Sequence, residues 1–202
     1  MDAFLLILSA VIGYLLGSVS VAVLYTKLRF HADVRRQGSG NAGATNVARV
    51  YGMSSGVITL VGDVLKTIAA ALIGSALAGH YGLCAGLCAC LVGHCFPVFF
   101  GFHGGKGVAV GAALGACLDW RLIAVALIVF AVCFALSKRV SVGSLVAAVA
   151  MPVTCAVIKG VIWPDFWLLV FQMFLVAWMH RGNIKRLING TEPKFEAHKR
   201  EK

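Results

Sequence analysis

The chain has 202 residues, of which 60% are hydrophobic and 13% charged, and its mean hydropathy of +0.89 excludes a soluble globular domain and marks an integral membrane protein. A formal charge of +10 would suggest nucleic acid in a soluble protein. Here the basic residues must first be placed relative to the bilayer, and no nucleic-acid partner is expected.

A helix needs about 20 apolar residues to cross the hydrocarbon, which predicts an all-α bundle of seven transmembrane helices near 3–25, 54–78, 81–100, 107–119, 121–137, 142–160 and 163–180. The whole chain, 1–202, reads as one transmembrane domain with polar segments at 26–53, 101–107, 138–144 and 181–202. The first span is not read as a cleaved leader: it carries Asp2, has no basic start and is apolar for too long.

The loop after it contains "RRQGSGNAGATNVARVYG". Gly38, Gly40 and Gly43 allow backbone conformations closed to other residues, while Ser39, Asn41, Thr45 and Asn46 supply short hydrogen-bonding groups. Arg49 adds a bidentate donor for an oxyanion. Arg35 and Arg36 read as basic residues held to anionic lipid.

In the second span Asp63 and Lys66 stand three apart on one helix face and read as a structural ion pair rather than a catalytic dyad. Small residues four apart, in Gly74-x3-Ala78, Gly82-x3-Gly86 and Gly111-x3-Gly115, predict close helix contacts. The seven cysteines lie in apolar surroundings without zinc-ligand spacing and read as packing residues.

"GFHGGKGVAVG" (101–111) leads a glycine-rich turn straight into an apolar helix. Backbone N–H groups at a helix start, with Lys106 beside them, make an anion site. The alternative is a lysine snorkelling from a span end. The segment is not a Walker A loop, because Gly107 stands where Ser or Thr is required. Between Lys106 and Asp119 only twelve uncharged residues are available, so this helix must be short, inclined or shielded from lipid.

Ser141 is expected to cap the sixth span, leaving Ser144 to face the bundle. The last span runs into "HRGNIKRLINGTEPK", where His180 and Asn183, three apart, share a face if the helix continues. Of the 18 Lys and Arg, 15 fall in connections on one side, only Arg121 and Lys159 on the other, and Lys66 inside a span. The N-terminus is therefore expected outside and the C-terminus in the cytoplasm.

There is no H-x4-D pair and no aspartate-rich metal motif, so neither metal nor cofactor is expected. Chemistry here would rely on a reactive substrate, with the protein supplying position and positive charge. A small organic-phosphate transporter is the competing class, although no internal repeat or matched pair of broken spans is evident.

"GSGNAGATNVARVYG", "GHCFPVFFGFHGGKGVAV", "RVSVGS" and "HRGNIKRLINGTEPK", in this order over nearly the whole chain, resemble the motifs of the bacterial acyl-phosphate:glycerol-3-phosphate acyltransferases, the PlsY family. The resemblance implies a seven-helix inner-membrane enzyme with its site facing the cytoplasm. It would transfer a fatty acyl group from acyl phosphate to the 1-hydroxyl of sn-glycerol 3-phosphate, the first acylation of phospholipid synthesis. Its products would be 1-acyl-sn-glycerol 3-phosphate and phosphate, with the donor made by a separate soluble enzyme, PlsX. It also implies a polar pocket of Ser39, Arg49, Lys106, Ser144, His180 and Asn183, with Gly104, Gly105 and Gly107 shaping a phosphate loop and Gly40, Asn41, Thr45 and Asn46 in the same first motif. Three residues depart from the family pattern: His103 where lysine is common, Thr67 where glycine is common, and Gly182 where glutamate is common.

Overall fold

In a computed structural model, which describes residues 2–161 and 164–195, long apolar runs form helices and no strand occurs among the described residues. The helices are α1 (Ala3–Ser18), α2 (Val21–Phe30), α3 (Ala44–Tyr51), α4 (Met53–Cys95), α5 (Val108–Leu118), α6 (Trp120–Ser137), α7 (Val140–Lys159), α8 (Asp165–Met179) and α9 (Arg181–Ile188). Four stretches are long and apolar enough to cross a membrane: Ala3–Phe30, Met53–Phe100, Trp120–Ser137 and Val140–Lys159. The start of the seventh expected span and the tail beyond Phe195 lie outside the described residues. The chain divides into two compact units, 1–110 and 111–195, with α5 passing from one into the other.

In the first unit α1 and α3 pack on α4. The α4 helix reverses at Ala78 and Gly79, where Gly79 adopts φ 58 and ψ −144, a conformation reserved for glycine. The arms 53–77 and 80–95 touch where Gly74 and Gly82 meet, each leaving no room for a Cβ beside the other's carbonyl. Gly13 and Gly17 of α1 lie equally close to Gly86 and Cys90. Close backbone approach through small residues is how helices gain contact in lipid, where apolar burial alone gives no drive to associate.

The first span is not continuous as expected from 3–25. The helix stops at Ser18, Val19 is extended, and Ser20 caps a new helix by accepting the Val23 N–H. Lys66 explains the break, because its Nζ donates to the carbonyls of Gly17 at 3.1 Å and Val19 at 2.8 Å. These carbonyls lose their intrahelical partners, and in an apolar surrounding an unsatisfied carbonyl costs several kcal/mol, roughly. Lys66 also pairs with Asp63 Oδ1 at 2.8 Å, so the pair has the structural role expected of it. Thr67, one of the departures, is buried and returns its hydroxyl to Asp63 O at 2.7 Å.

The loop 26–53 is more helical than a polar linker: α2 runs on to Phe30 and α3 occupies Ala44–Tyr51. In the second unit α6 packs on α7 and α7 on α8. The outer face of α6 exposes Leu127, Ile128, Val132 and Leu136, as a lipid-facing helix does. Gly115 lies against Met151, and Gly111 against Gln172. The α5 helix has 11 residues, roughly 16 Å at 1.5 Å per residue, about half the hydrocarbon thickness.

Candidate functional site

The first motif is built around one buried amide. Asn46, 1% exposed, donates from Nδ2 to the carbonyls of Val34, Gln37 and Asn41 at 3.0–3.1 Å. Its Oδ1 accepts the Ser39 N–H at 2.8 Å. An amide has two donor hydrogens and two acceptor lone pairs, so Asn46 spends nearly all its capacity on the loop and retains one lone pair for any ligand. Around it the chain turns through Gly38 and Gly40, both at positive φ. Ser39 and Gly40 are left exposed at the tip, with Asn41 and Thr45 half-buried. Arg49, half-buried in the last turn of α3, has no carboxylate partner among the described residues.

Arg35 departs from the lipid-anchor reading. Its guanidinium grips Asp33, with Nη2–Oδ2 at 2.8 Å, and Nη1 donates to Phe100 O at 2.6 Å and His103 O at 3.4 Å. The hydrogen bond from Arg35 holds the Asp33 carboxyl below its usual pKa, against an opposing effect of burial. Arg35 thereby ties the first motif to the entry of the glycine loop, while Arg36 is exposed. The imidazole of His103 is also exposed and donates through Nδ1 to Gly101 O at 2.6 Å.

The glycine loop lies on the end of α4. Gly105 N–H donates to His94 O at 3.0 Å, and a Cβ on Gly105 would overlap the His94 ring and crowd Ala42 O at 3.1 Å. Gly104 has no room for a Cβ beside the carbonyls of His94 and Cys95. Gly107 takes φ 78 as the chain turns into α5. Residues 104–107 thus meet the first motif through Gly105 and Ala42, with Lys106 half-buried at the helix start. Backbone N–H groups at a helix N-terminus beside an ammonium suit a phosphate.

In the second unit the organiser is Glu192. Its Oε1 accepts from Ser141 Oγ at 2.7 Å and Asn183 Nδ2 at 2.6 Å, and Oε2 accepts from Arg186 Nε at 2.8 Å. Burial raises the Glu192 pKa, but the bonds from Asn183, Ser141 and Arg186 outweigh it and hold the carboxyl below its usual value. Ser141 is therefore not the expected helix cap; Arg139 occupies that position, and its side chain donates from Nε to Glu192 O at 2.8 Å instead of capping the helix. Ser144, buried, donates to Val140 O at 2.9 Å. His180 ends α8, buried, with Nδ1 2.8 Å from Val176 O. A carbonyl only accepts, so Nδ1 carries a proton and the neutral ring has its lone pair on Nε2. Gly182 is exposed.

His94 and Glu192 carry little signal in the sequence. Glu192 had one signal, as the only acidic residue between Arg181 and Lys194. His94 had none beyond being a histidine in an apolar run.

A family model described as glycerol-3-phosphate acyltransferase matches residues 7–190. The glycerol-3-phosphate acyltransferase of Clostridioides difficile is 40% identical over 204 residues, covering 96% of this chain and 98% of that protein. The crystal structure of PlsY (YgiH), an integral membrane glycerol 3-phosphate acyltransferase, in its glycerol 3-phosphate form superposes with a TM-score of 0.89 at 32% identity, covering 95% of this chain and 96% of that one. Its lysophosphatidic acid form gives a TM-score of 0.85 at 31% identity, covering 95% of each chain.

Proposed function

The chain belongs to the glycerol-3-phosphate acyltransferase family, and we propose that it takes its acyl group from acyl phosphate and delivers it to the 1-hydroxyl of sn-glycerol 3-phosphate. It is a membrane acyltransferase of lipid biosynthesis, which sets aside the transporter alternative. The glycine loop is the observation that carries the reading: a helix start with Gly105 seated on the end of α4 and Lys106 beside it suits a substrate with a phosphate at one end.

In this reading Arg49, Lys106 and loop backbone amides hold phosphate, with Gly104, Gly105 and Gly107 shaping the loop and the Gly105 N–H itself spent on His94 O. Gly40, Asn41 and Thr45 shape the first motif around it, and Asn46 acts through the loop it builds. Ser39, Ser144, His180 and Asn183 orient the glycerol hydroxyl. The hydroxyl oxygen attacks the acyl carbonyl carbon, the new ester C–O bond forms, the anhydride C–O bond breaks and phosphate leaves. A donor phosphate oxygen takes the hydroxyl proton, and Nε2 of His180 is the protein alternative. The crystallised PlsY was captured with glycerol 3-phosphate and with lysophosphatidic acid, which supports the same substrate and product here.

The chain acts as one catalytic domain in the bacterial inner membrane. Taking α1 with α2 as one pass, the arms of α4 as two, and the short α5 with α6, α7 and α8 as one each gives the seven passes of this reading. The one-sided Lys and Arg distribution favours an outer N-terminus and a cytoplasmic site and C-terminus. The soluble enzyme that makes acyl phosphate would meet that basic face transiently. The test is acyl transfer by purified Lys106→Ala and Asn183→Ala, with acyl phosphate and glycerol 3-phosphate supplied. Both are expected to lose most turnover, and near-normal rates in both would end the assignment. Turnover of the parent protein with acyl-CoA but not acyl phosphate would refute the donor.

A further inference from the structure

Beneath the glycine loop lies a buried polar cluster that the reaction as described does not use. Asp63, Lys66 and His94 are 1%, 8% and 6% exposed. The Lys66 ammonium is 2.8 Å from Asp63 Oδ1 and 3.1 Å from His94 Nδ1, and His94 Nδ1 is 3.5 Å from the same Asp63 oxygen. Lys66 also holds the Gly17 and Val19 carbonyls at the break between α1 and α2. An ammonium has three protons, and here it faces four acceptor atoms, so its position is set from several sides. The far edge of the His94 ring fills the space that a side chain on Gly105 would need, and His94 O accepts the Gly105 N–H at 3.0 Å.

We propose that the Asp63–Lys66–His94 cluster is the positioning element of the phosphate loop, with His94 the residue through which it acts. Asp63 and Lys66 fix the imidazole from behind, and the imidazole fixes Gly105 in front. The amides that follow, at Lys106 and Gly107, are aimed by that contact. An ion pair costs desolvation to bury; in this place it supplies a rigid seat where a displacement on the order of 1 Å can lower a rate about a hundredfold. This inference rests on the reading of residues 104–107 as a phosphate seat.

The test is the KM for glycerol 3-phosphate, measured apart from kcat on the purified full chain in detergent with saturating acyl phosphate. His94→Ala is expected to raise KM by roughly tenfold or more. A merely structural role would reduce the active fraction, and so kcat, while leaving KM in place; an unchanged KM overturns the proposal. Gly105→Ala, whose methyl would overlap the ring, is expected to raise KM likewise. In Gly105→Ala combined with His94→Ala the methyl gains room, and kcat/KM should recover by about threefold or more over Gly105→Ala alone. A double variant worse than both singles also overturns it. Where His94→Ala does not fold, His94→Gln and Gly105→Ala carry the same KM criterion. Lys106→Ala separates the two failures: normal activity there removes the phosphate seat itself, whereas a dead Lys106→Ala beside a normal His94→Ala removes only the coupling.

Discussion

Asn183 donates to Glu192 Oε1 across 2.6 Å, and the same carboxylate oxygen accepts from Ser141 at 2.7 Å. The chain after α9 is thus tied back to α7, with Asn183 held between. Removing the carboxylate strands buried donors, each costing about 1–3 kcal/mol. Glu192→Ala is therefore expected to lower the thermal midpoint and most of the acyl transfer together. Glu192→Gln keeps an acceptor for Ser141 and Asn183 but loses the charge facing Arg186, so it should fall between parent and alanine variant. A Glu192→Ala protein with the parent's midpoint would contradict this account.

The same carboxylate predicts a pH dependence. Because its folded pKa is held below the ordinary value of 4.5, its contribution is complete above the unfolded value and is lost as pH falls through the folded one. Thermal midpoints of parent and Glu192→Gln, followed from neutral pH downward, should differ by a constant amount until the pH drops below about 4.5 and then converge. A gap that widens on acidification would show that the sign is wrong.

Asn46 offers a second stability test. Its side chain serves three carbonyls and one N–H, so Asn46→Ala should cost about 2–4 kcal/mol and loosen residues 35–43. Asn46→Asp should do no better, since a carboxylate keeps the bond from Ser39 but faces three carbonyls with no hydrogen to give. Proteolysis within 35–43, with the midpoint, is the measurement; a rescue by aspartate would count against the network.

Arg35 and Arg36 are neighbours with opposite expectations. Arg35 holds Asp33 and the loop carbonyls of Phe100 and His103, and charge-assisted bonds of this kind contribute about 1.5–3 kcal/mol. Arg35→Ala should raise the KM for glycerol 3-phosphate roughly tenfold, a change of about 1.4 kcal/mol. Arg36, exposed, should tolerate alanine with little change in KM. Equal effects at the two positions would return both to a general electrostatic role.

Substrate-assisted proton transfer makes a kinetic prediction at His180. If a donor phosphate oxygen accepts the proton, His180→Gln slows turnover through lost orientation but keeps the shape of the pH–rate curve. Loss of a limb of that curve would transfer the base role to Nε2 of His180.

Hydropathy is a local property, and what depended on it was readable in the sequence. Helices α6 and α7 lie at Trp120–Ser137 and Val140–Lys159, within two residues of the expected 121–137 and 142–160. The glycine-rich turn at 104–107 was equally readable as a turn running into a helix beside a lysine. The physical reason for its glycines was not. Gly105 is a glycine because His94, eleven residues earlier in the chain, occupies its side-chain space. The first span reads as one apolar run, and only Lys66, arriving from another helix, shows why it breaks at Val19. Asn46 and Glu192 likewise take their meaning from partners that folding brings within about 3 Å. Sequence by itself determined that the chain is a multi-pass membrane protein of apolar helices and which residue types gather in its polar segments, since both follow from transfer free energy and side-chain chemistry. The tertiary structure decided which of those polar groups are spent on holding the loops, because a hydrogen bond is assigned by distance in space.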